Sequence, residues 1–177
     1  MKAIIGIDIQ NDFVKGGALA YGYPHEDIVP SIAEFLKQRK EAGDLILLTA
    51  DTHGEDYMQT LEGQKLPVPH CIYGTDGHKY PEAIKPYAKA QNTIGKNTFG
   101  SFIVKEHIRE AMHNGGVDEI VLIGGCTSIC LLANAVILRA SFPNKKISVK
   151  ESLCFDIDEA SHKAAILVMR NQQIDII

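Results

Sequence analysis

Residues 119–135 read Glu119-Ile-Val-Leu-Ile-Gly-Gly-Cys-Thr-Ser-Ile-Cys130-Leu-Leu-Ala-Asn-Ala135, and the way this stretch divides decides the fold. Ile120 to Ile123 is an unbroken apolar run of the kind a strand buried on both faces shows. Two glycines break the run, and a helical pattern follows with Thr127 or Ser128 as its expected N-cap. Cys130 therefore falls at a strand-to-helix turn, at or near a helix N-terminus. Backbone N–H groups there face an anion and lower a thiol pKa. The plainer reading is a small buried hydrophobe between Ile129 and Leu131, the commoner fate of a free cysteine.

The same alternation extends outward. Ala3–Asp8 is an apolar run ending in a carboxylate, and residues 26–42 carry Ile28, Ile32, Phe35 and Leu36 at helical spacing, with Gly43 as the stop. Residues 44–50 form a second buried strand that ends at Asp51. Residues 92–95 form a short third strand, and Ser101 caps a helix running to about Asn114. The opening stretch is the fourth strand, with a helix over 129–140. Residues 146–150 make a fifth strand, 158–171 a further helix and 173–177 a sixth strand. Such alternation predicts a parallel sheet with helices on both faces. Residues 52–91 hold most of the prolines and are too long for a plain connector, which predicts a functional loop region with one short helix.

At 177 residues with a net charge of −4, the chain reads as one soluble domain over 1–177 with a substantial core. Lys and Arg are dispersed rather than gathered into a stripe, which argues against nucleic acid. The first apolar run is too short for a signal peptide or a membrane span, and four cysteines without a CxxC pair suit reduced thiols, so a cytoplasmic protein is expected. Oligomeric state stays open, because apolar helix faces serve a core or an interface equally well.

In parallel sheets, function collects at the carboxyl ends of the strands. Asp8, Asp51 with His53, Lys96 and Cys130 follow four different strands to that edge. Asp8, Lys96 and Cys130 suit nucleophilic catalysis: Asp8 is a base if burial raises its pKa, and Lys96 keeps it ionised and favours the thiolate. Taken singly, Asp8 could cap a loop and Lys96 could be a solvated charge. Asp51, His53, Glu62 and His70 offer mixed oxygen and nitrogen donors suited to zinc, iron or manganese, with Glu55 and Asp56 competing with Glu62. The turn from Gly125 can aim the N–H groups of Cys126 and Cys130 at a developing alkoxide. His25, His78, His107, His113 and His162 read as surface or packing residues.

Five signatures in order, Ile7-Asp8-Ile9-Gln10-Asn11-Asp12-Phe13, Asp51-Thr-His53, Leu66-Pro-Val-Pro-His70-Cys-Ile-Tyr-Gly-Thr75, Lys96 and Gly124-Gly-Cys-Thr-Ser-Ile-Cys130, carry a resemblance over nearly the whole length. The chain resembles the isochorismatase-like cysteine hydrolases and, within them, the nicotinamidases. The resemblance implies a three-layer α-β-α fold with a six-stranded parallel sheet in the order 3-2-1-4-5-6. It implies an Asp8-Lys96-Cys130 triad, and a cis peptide before Cys126, whose N–H joins that of Cys130 in an oxyanion hole. One divalent metal ion, zinc first with iron or manganese as alternatives, would be held by Asp51, His53 and His70. Glu62 is the expected remaining ligand, since Met58 and Gln59 stand where some relatives have a second histidine. Phe13 and Phe99 are expected to wall an aromatic substrate ring. Leu66 and Val68 replace a bulky aromatic, which predicts a more open pocket. The implied reaction is hydrolysis of nicotinamide to nicotinate and ammonia through a Cys130 thioester. The alternatives are another small amide (ureido or carbamoyl) and a non-catalytic binding protein of the same fold.

Overall fold

Strands β1 (Lys2–Ile7), β2 (Leu45–Asp51), β3 (Thr93–Lys96), β4 (Glu119–Gly125), β5 (Lys146–Phe155) and β6 (Asp175–Ile176) form one all-parallel sheet in the order β3-β2-β1-β4-β5-β6. The computed structural model describes residues 1–14 and 16–177. Helices α1 (Val29–Glu41), α2 (Leu61–Lys65), α3 (Phe102–Asn114), α4 (Leu132–Ser141) and α5 (Glu159–Asn171) complete the chain.

Strand residues alternate between the two faces, as the period of two requires. Ala3, Ile5 and Ile7 of β1 and Ile120 and Leu122 of β4 pack against α3, α4 and α5 through Val104, Leu138 and Met169. Ile4, Val121 and Ile123 point the other way, onto Ile32 and Leu36 of α1 and onto Tyr80 and Ile84 from the long 52–91 segment. Three layers result, with the buried apolar runs of β1 and β4 at the centre, as the sequence predicts.

Several boundaries differ from expectation, each for a local reason. Helix α1 starts at Val29 rather than Glu26, because Pro30 lacks an N–H and suits only the first turn. Strand β5 runs ten residues, twice the expected length. A register shift between Leu122 and Gly124 lets Cys154 and Phe155 rejoin the ladder beyond the polar Lys150-Glu151-Ser152. Strand β6 is only Asp175–Ile176. Ser101 and Asp158 cap α3 and α5 by accepting from the N–H groups of Ile103 and Ser161.

The opening stretch departs most. Thr127–Leu131 is a π-helical turn ahead of α4, and neither Thr127 nor Ser128 caps a helix. The Thr127 hydroxyl donates to the Phe155 carbonyl at 3.0 Å, and both the N–H and the hydroxyl of Ser128 donate to Asp156. Gly124 holds φ +96°, and a Cβ there would meet the Ile7 carbonyl oxygen at 2.2 Å, so only glycine lets β4 turn beside β1.

Candidate active site

Strand register brings the reactive side chains to one edge. Asp51 and Lys96 end β2 and β3 as direct register partners. Asp8 follows β1 and Cys130 follows β4, the neighbouring strands between which the sheet order reverses direction, where α/β sheets open a crevice. Asp8 sits at φ +46°, a left-handed conformation that Asp tolerates better than most residues. Thr49 secures it from both sides: its hydroxyl accepts from the Asp8 N–H at 3.1 Å and donates to Asp8 Oδ1 at 2.6 Å.

The other carboxylate oxygen is different. Asp8 Oδ2 is completely buried and lies 2.6 Å from Lys96 Nζ in an ion pair. Lys96 Nζ also stands 3.7 Å from Cys130 Sγ and 3.4 Å from Asp51 Oδ1. Burial raises the Asp8 pKa above the usual carboxylate range, although Lys96 pulls it down. Burial works against a charged Lys96, yet Asp8, Cys130 and Asp51 outweigh it and hold the ammonium charged. Asp8 is thus a stronger base than an ordinary carboxylate.

Cys130 corrects one expectation. Its thiol pKa is not lowered by the helix end but raised well above the ordinary value: burial dominates, and the charge and hydrogen bond of Asp8 add to it against Lys96. The resting group is a thiol, so a nucleophile forms only as its proton leaves. The helix end meanwhile faces the Asp156 carboxylate, which takes the Ser128 N–H at 2.8 Å. The peptide between Gly125 and Cys126 is cis, as the resemblance implies.

Asp51, His53, Glu62 and His70 offer donor atoms all within 4.8 Å of one another. Asp51 Oδ2 lies 3.0 Å from His53 Nε2 and 3.4 Å from His70 Nε2, and Glu62 Oε1 lies 3.8 Å from each imidazole. Metal–ligand bonds of about 2.1 Å separate donors by about 3.0 Å at right angles and about 3.4 Å at tetrahedral angles. The Asp51–His53 and Asp51–His70 pairs fit that spacing, and Glu62 stands a few tenths of an ångström wider. His70 Nδ1 donates to the Val68 carbonyl at 2.9 Å, which fixes the ring with Nε2 facing the cluster. The two prolines flanking Val68 hold that backbone. Burial pushes the Asp51 pKa up, but hydrogen bonds from His53 and His70 and the charge of Lys96 hold it well below the carboxylate range. Glu55 and Asp56 are exposed and stand outside the cluster.

A cavity of about 240 Å³ opens beside both groups, lined by Asp51, Glu62, His70, Cys126 and Cys130 and otherwise by apolar side chains. Phe13 and Phe99 both line it, Phe13 with its ring edge-on to His70 at 5.5 Å and Phe99 half-exposed at the rim. Leu66 lines it and Val68 does not.

Sequence reasoning missed four supports. Gln10 brackets Asp51, its side-chain amide donating to the Asp51 carbonyl and accepting from the Asp51 N–H. The Tyr57 ring packs edge-on against His53 and His70 at 4.8 and 5.0 Å. Asn134, buried on α4, donates to the carbonyls of Cys130 and Phe99 and accepts from the Ser101 N–H. Thr49 is the fourth. A lone Asn inside an apolar helix face was the one readable signal.

A family model described as Isochorismatase domain matches residues 2–177. A Bacillus subtilis (strain 168) protein described as an uncharacterized isochorismatase family protein is 32% identical over 142 residues, covering 76% of each chain. The nicotinamidase/pyrazinamidase of Mycobacterium tuberculosis is 28% identical over 148 residues, covering 76% of this chain and 77% of that one. The crystal structure of a pyrazinamidase/nicotinamidase from Streptococcus mutans superposes with a TM-score of 0.83 at 28% identity, covering 100% of both chains.

Proposed function

The chain belongs to the isochorismatase family, and from that premise we propose that it is a cysteine amidohydrolase converting nicotinamide to nicotinate and ammonia. The observation that carries the reading is the fully buried Asp8 carboxylate, whose Oδ2 lies 2.6 Å from Lys96 Nζ while the same ammonium stands 3.7 Å from Cys130 Sγ beside a largely apolar cavity. A buried ion pair is costly to keep, and a proton acceptor beside a thiol is a use for it. The two nicotinamidase/pyrazinamidase relatives supply the substrate class.

In this mechanism Asp8 Oδ2 takes the Cys130 thiol proton as sulfur attacks the carboxamide carbon. The alkoxide that forms accepts from the N–H groups of Cys126 and Cys130. Asp8 returns the proton to the departing nitrogen, the C–N bond breaks, and ammonia leaves a Cys130 thioester. Water then attacks the thioester, with Asp8 taking its proton and handing it back to sulfur as the acid departs. Lys96 keeps Asp8 ionised at the start of each half-reaction, which its raised pKa supports.

Asp51, His53, Glu62 and His70 would hold one divalent metal, and two imidazoles with two carboxylates favour zinc, with iron or manganese next. When bound, it supplies a Lewis acid at the cavity wall to anchor a ring nitrogen. Phe13 and Phe99 would flank the ring. Leu66 at the rim leaves space for a different small amide, such as a ureido compound, so the test is a panel.

Ammonia release should be followed with nicotinamide, pyrazinamide and ureido substrates on metal-replete enzyme. Nicotinamide turnover that Cys130→Ala abolishes, with an unchanged circular dichroism spectrum, supports the reading. Absence of nicotinamide turnover, or a Cys130→Ala variant as active as the parent, overturns it.

A further inference from the structure

The mechanism leaves one fully buried carboxylate unused. Asp156 follows β5 with no solvent exposure, and its side chain takes three hydrogen bonds. Oδ2 accepts the Ser128 N–H at 2.8 Å, while Oδ1 accepts the Ser128 hydroxyl at 2.9 Å and the Ile157 N–H at 2.8 Å. Its main chain does something separate. The Asp156 N–H donates to the Tyr23 carbonyl, and the Asp156 carbonyl accepts from the N–H groups of Gly22 and Tyr23. That backbone bridge anchors the segment whose Leu19, Ala20 and Tyr21 line the cavity.

One residue therefore joins the turn that carries the nucleophile to the wall of the cavity, by two independent sets of bonds. Ser128 lies two positions before Cys130 inside the π-helical turn, where regular i to i−4 bonds do not hold the backbone. A second latch holds Thr127. The Thr127 hydroxyl gives its only proton to the Phe155 carbonyl, so at 3.0 Å it must accept from His162 Nδ1. That latch ends at a neighbouring residue and does not reach Ser128.

We propose that Asp156 is a positioning residue for the Cys130 nucleophile: its side chain fixes the Ser128 end of the turn and so aims Sγ, while its main chain independently holds the cavity wall. The inference rests on Cys130 being the nucleophile. Its consequence is a separation of kinetic parameters. Asp156→Asn keeps the volume and the main-chain bridge but cannot accept one donor on one side and two on the other, because one carboxylate oxygen becomes a donating NH2. The wall, and with it substrate binding, stays in place, while the reacting sulfur loses its aim.

The test compares Asp156→Asn, Ser128→Ala and Cys130→Ala with the parent, per folded molecule, for turnover and for Cys130 alkylation by iodoacetamide, resolved by peptide mass spectrometry from Cys71, Cys126 and Cys154. Misaiming a nucleophile predicts that Asp156→Asn lowers kcat about ten- to hundredfold with KM within about twofold, and slows Cys130 alkylation in step. A kcat within about twofold of the parent in folded Asp156→Asn, or a loss confined to KM, overturns the proposal. Should Asp156→Asn fail to fold, Ser128→Ala reads the same link: lowered kcat at unchanged KM supports it, and unchanged kcat overturns it. A dead Cys130→Ala beside a fully active Asp156→Asn refutes the positioning role alone, whereas an active Cys130→Ala refutes the nucleophile assignment first.

Discussion

Lys96 Nζ stands 2.6 Å from Asp8 Oδ2 with both side chains shut off from solvent, and the same ammonium is 3.7 Å from Cys130 Sγ. The pair is therefore structural and chemical at once. Removing Lys96 leaves a buried carboxylate without its partner, which costs about 3–5 kcal/mol in comparable cases. It also removes the charge that lowers the Asp8 pKa, so Asp8 holds its proton to higher pH and a smaller fraction is ionised to act as the base. Lys96→Met is expected to lower the melting temperature, lower kcat/KM by about a hundredfold or more, and move the acid limb of the pH profile upward. An acid limb that stays in place would show that Lys96 does not govern Asp8.

The donor cluster makes a separable prediction, because its four members differ in burial. Glu62 is the most open, with 22% side-chain exposure against 5% and 2% for His53 and His70. Glu62→Gln is therefore expected to reduce bound divalent metal, measured by atomic emission, while the metal-free melting temperature stays near that of metal-free parent. Chelation of the parent should lower its melting temperature, since a ligand that binds only the folded state stabilises it. Parent protein purified with no stoichiometric metal, and gaining no thermal stability from zinc, iron or manganese, would remove the cluster's assigned role.

Phe13 and Phe99 line the same cavity from unlike positions. Phe13 is 7% exposed and packs into the core around α1, whereas Phe99 is 51% exposed. Phe13→Ala is expected to cost about 3–5 kcal/mol of stability by leaving a hole. Phe99→Ala should change stability by no more than about 0.5 kcal/mol while raising KM for a ring amide. Urea melts and steady-state kinetics on both variants check the contrast. An unchanged KM in Phe99→Ala would take that ring out of substrate binding.

How much of this was legible beforehand follows the physics of each signal. The layers were legible because β1 and β4 are unbroken apolar runs, whereas the strand order came from the family resemblance. Asp8, Lys96 and Cys130 could be grouped because each lies at or just past the carboxyl end of a strand. The reach of β5 was hidden by its polar middle, which a register shift absorbs. The thiol at Cys130 was misjudged because local sequence shows the helix end but neither the depth of burial nor the facing carboxylate. Thr49, Gln10 and Asp156 act through contacts 41 and 28 residues away in sequence, and no periodicity encodes such a contact. Asp156 in particular reads locally as an ordinary turn residue before a capped helix.

The amino-terminal edge of the sheet carries a charge cluster remote from the cavity, and its pH signature can be worked out. Glu119 is a register partner of Lys2 and Lys146 on the two flanking strands. It lies 2.7 Å from Lys2 Nζ and 3.2 Å from Lys146 Nζ, and accepts the Ser148 hydroxyl at 2.7 Å. Burial alone would raise its pKa, but the hydrogen bonds of Lys2, Ser148 and Lys146 outweigh it and lower it from 4.5 to about 2. Between those values the unfolded chain binds the proton and the folded one does not, so stability rises with pH across that window. The contribution is complete above pH 4.5 and is lost as pH falls toward about 2. Glu119→Gln is therefore expected to be less stable than the parent at neutral pH, with the gap narrowing steadily below pH 4.5. Its turnover per folded molecule should be unchanged, because the cluster sits at the opposite end of the strands from Cys130. Urea unfolding of both proteins, stepped from neutral pH to the lowest value at which each stays folded, measures the gap. A gap that is constant with pH would show that Glu119 contributes through packing rather than through its charge.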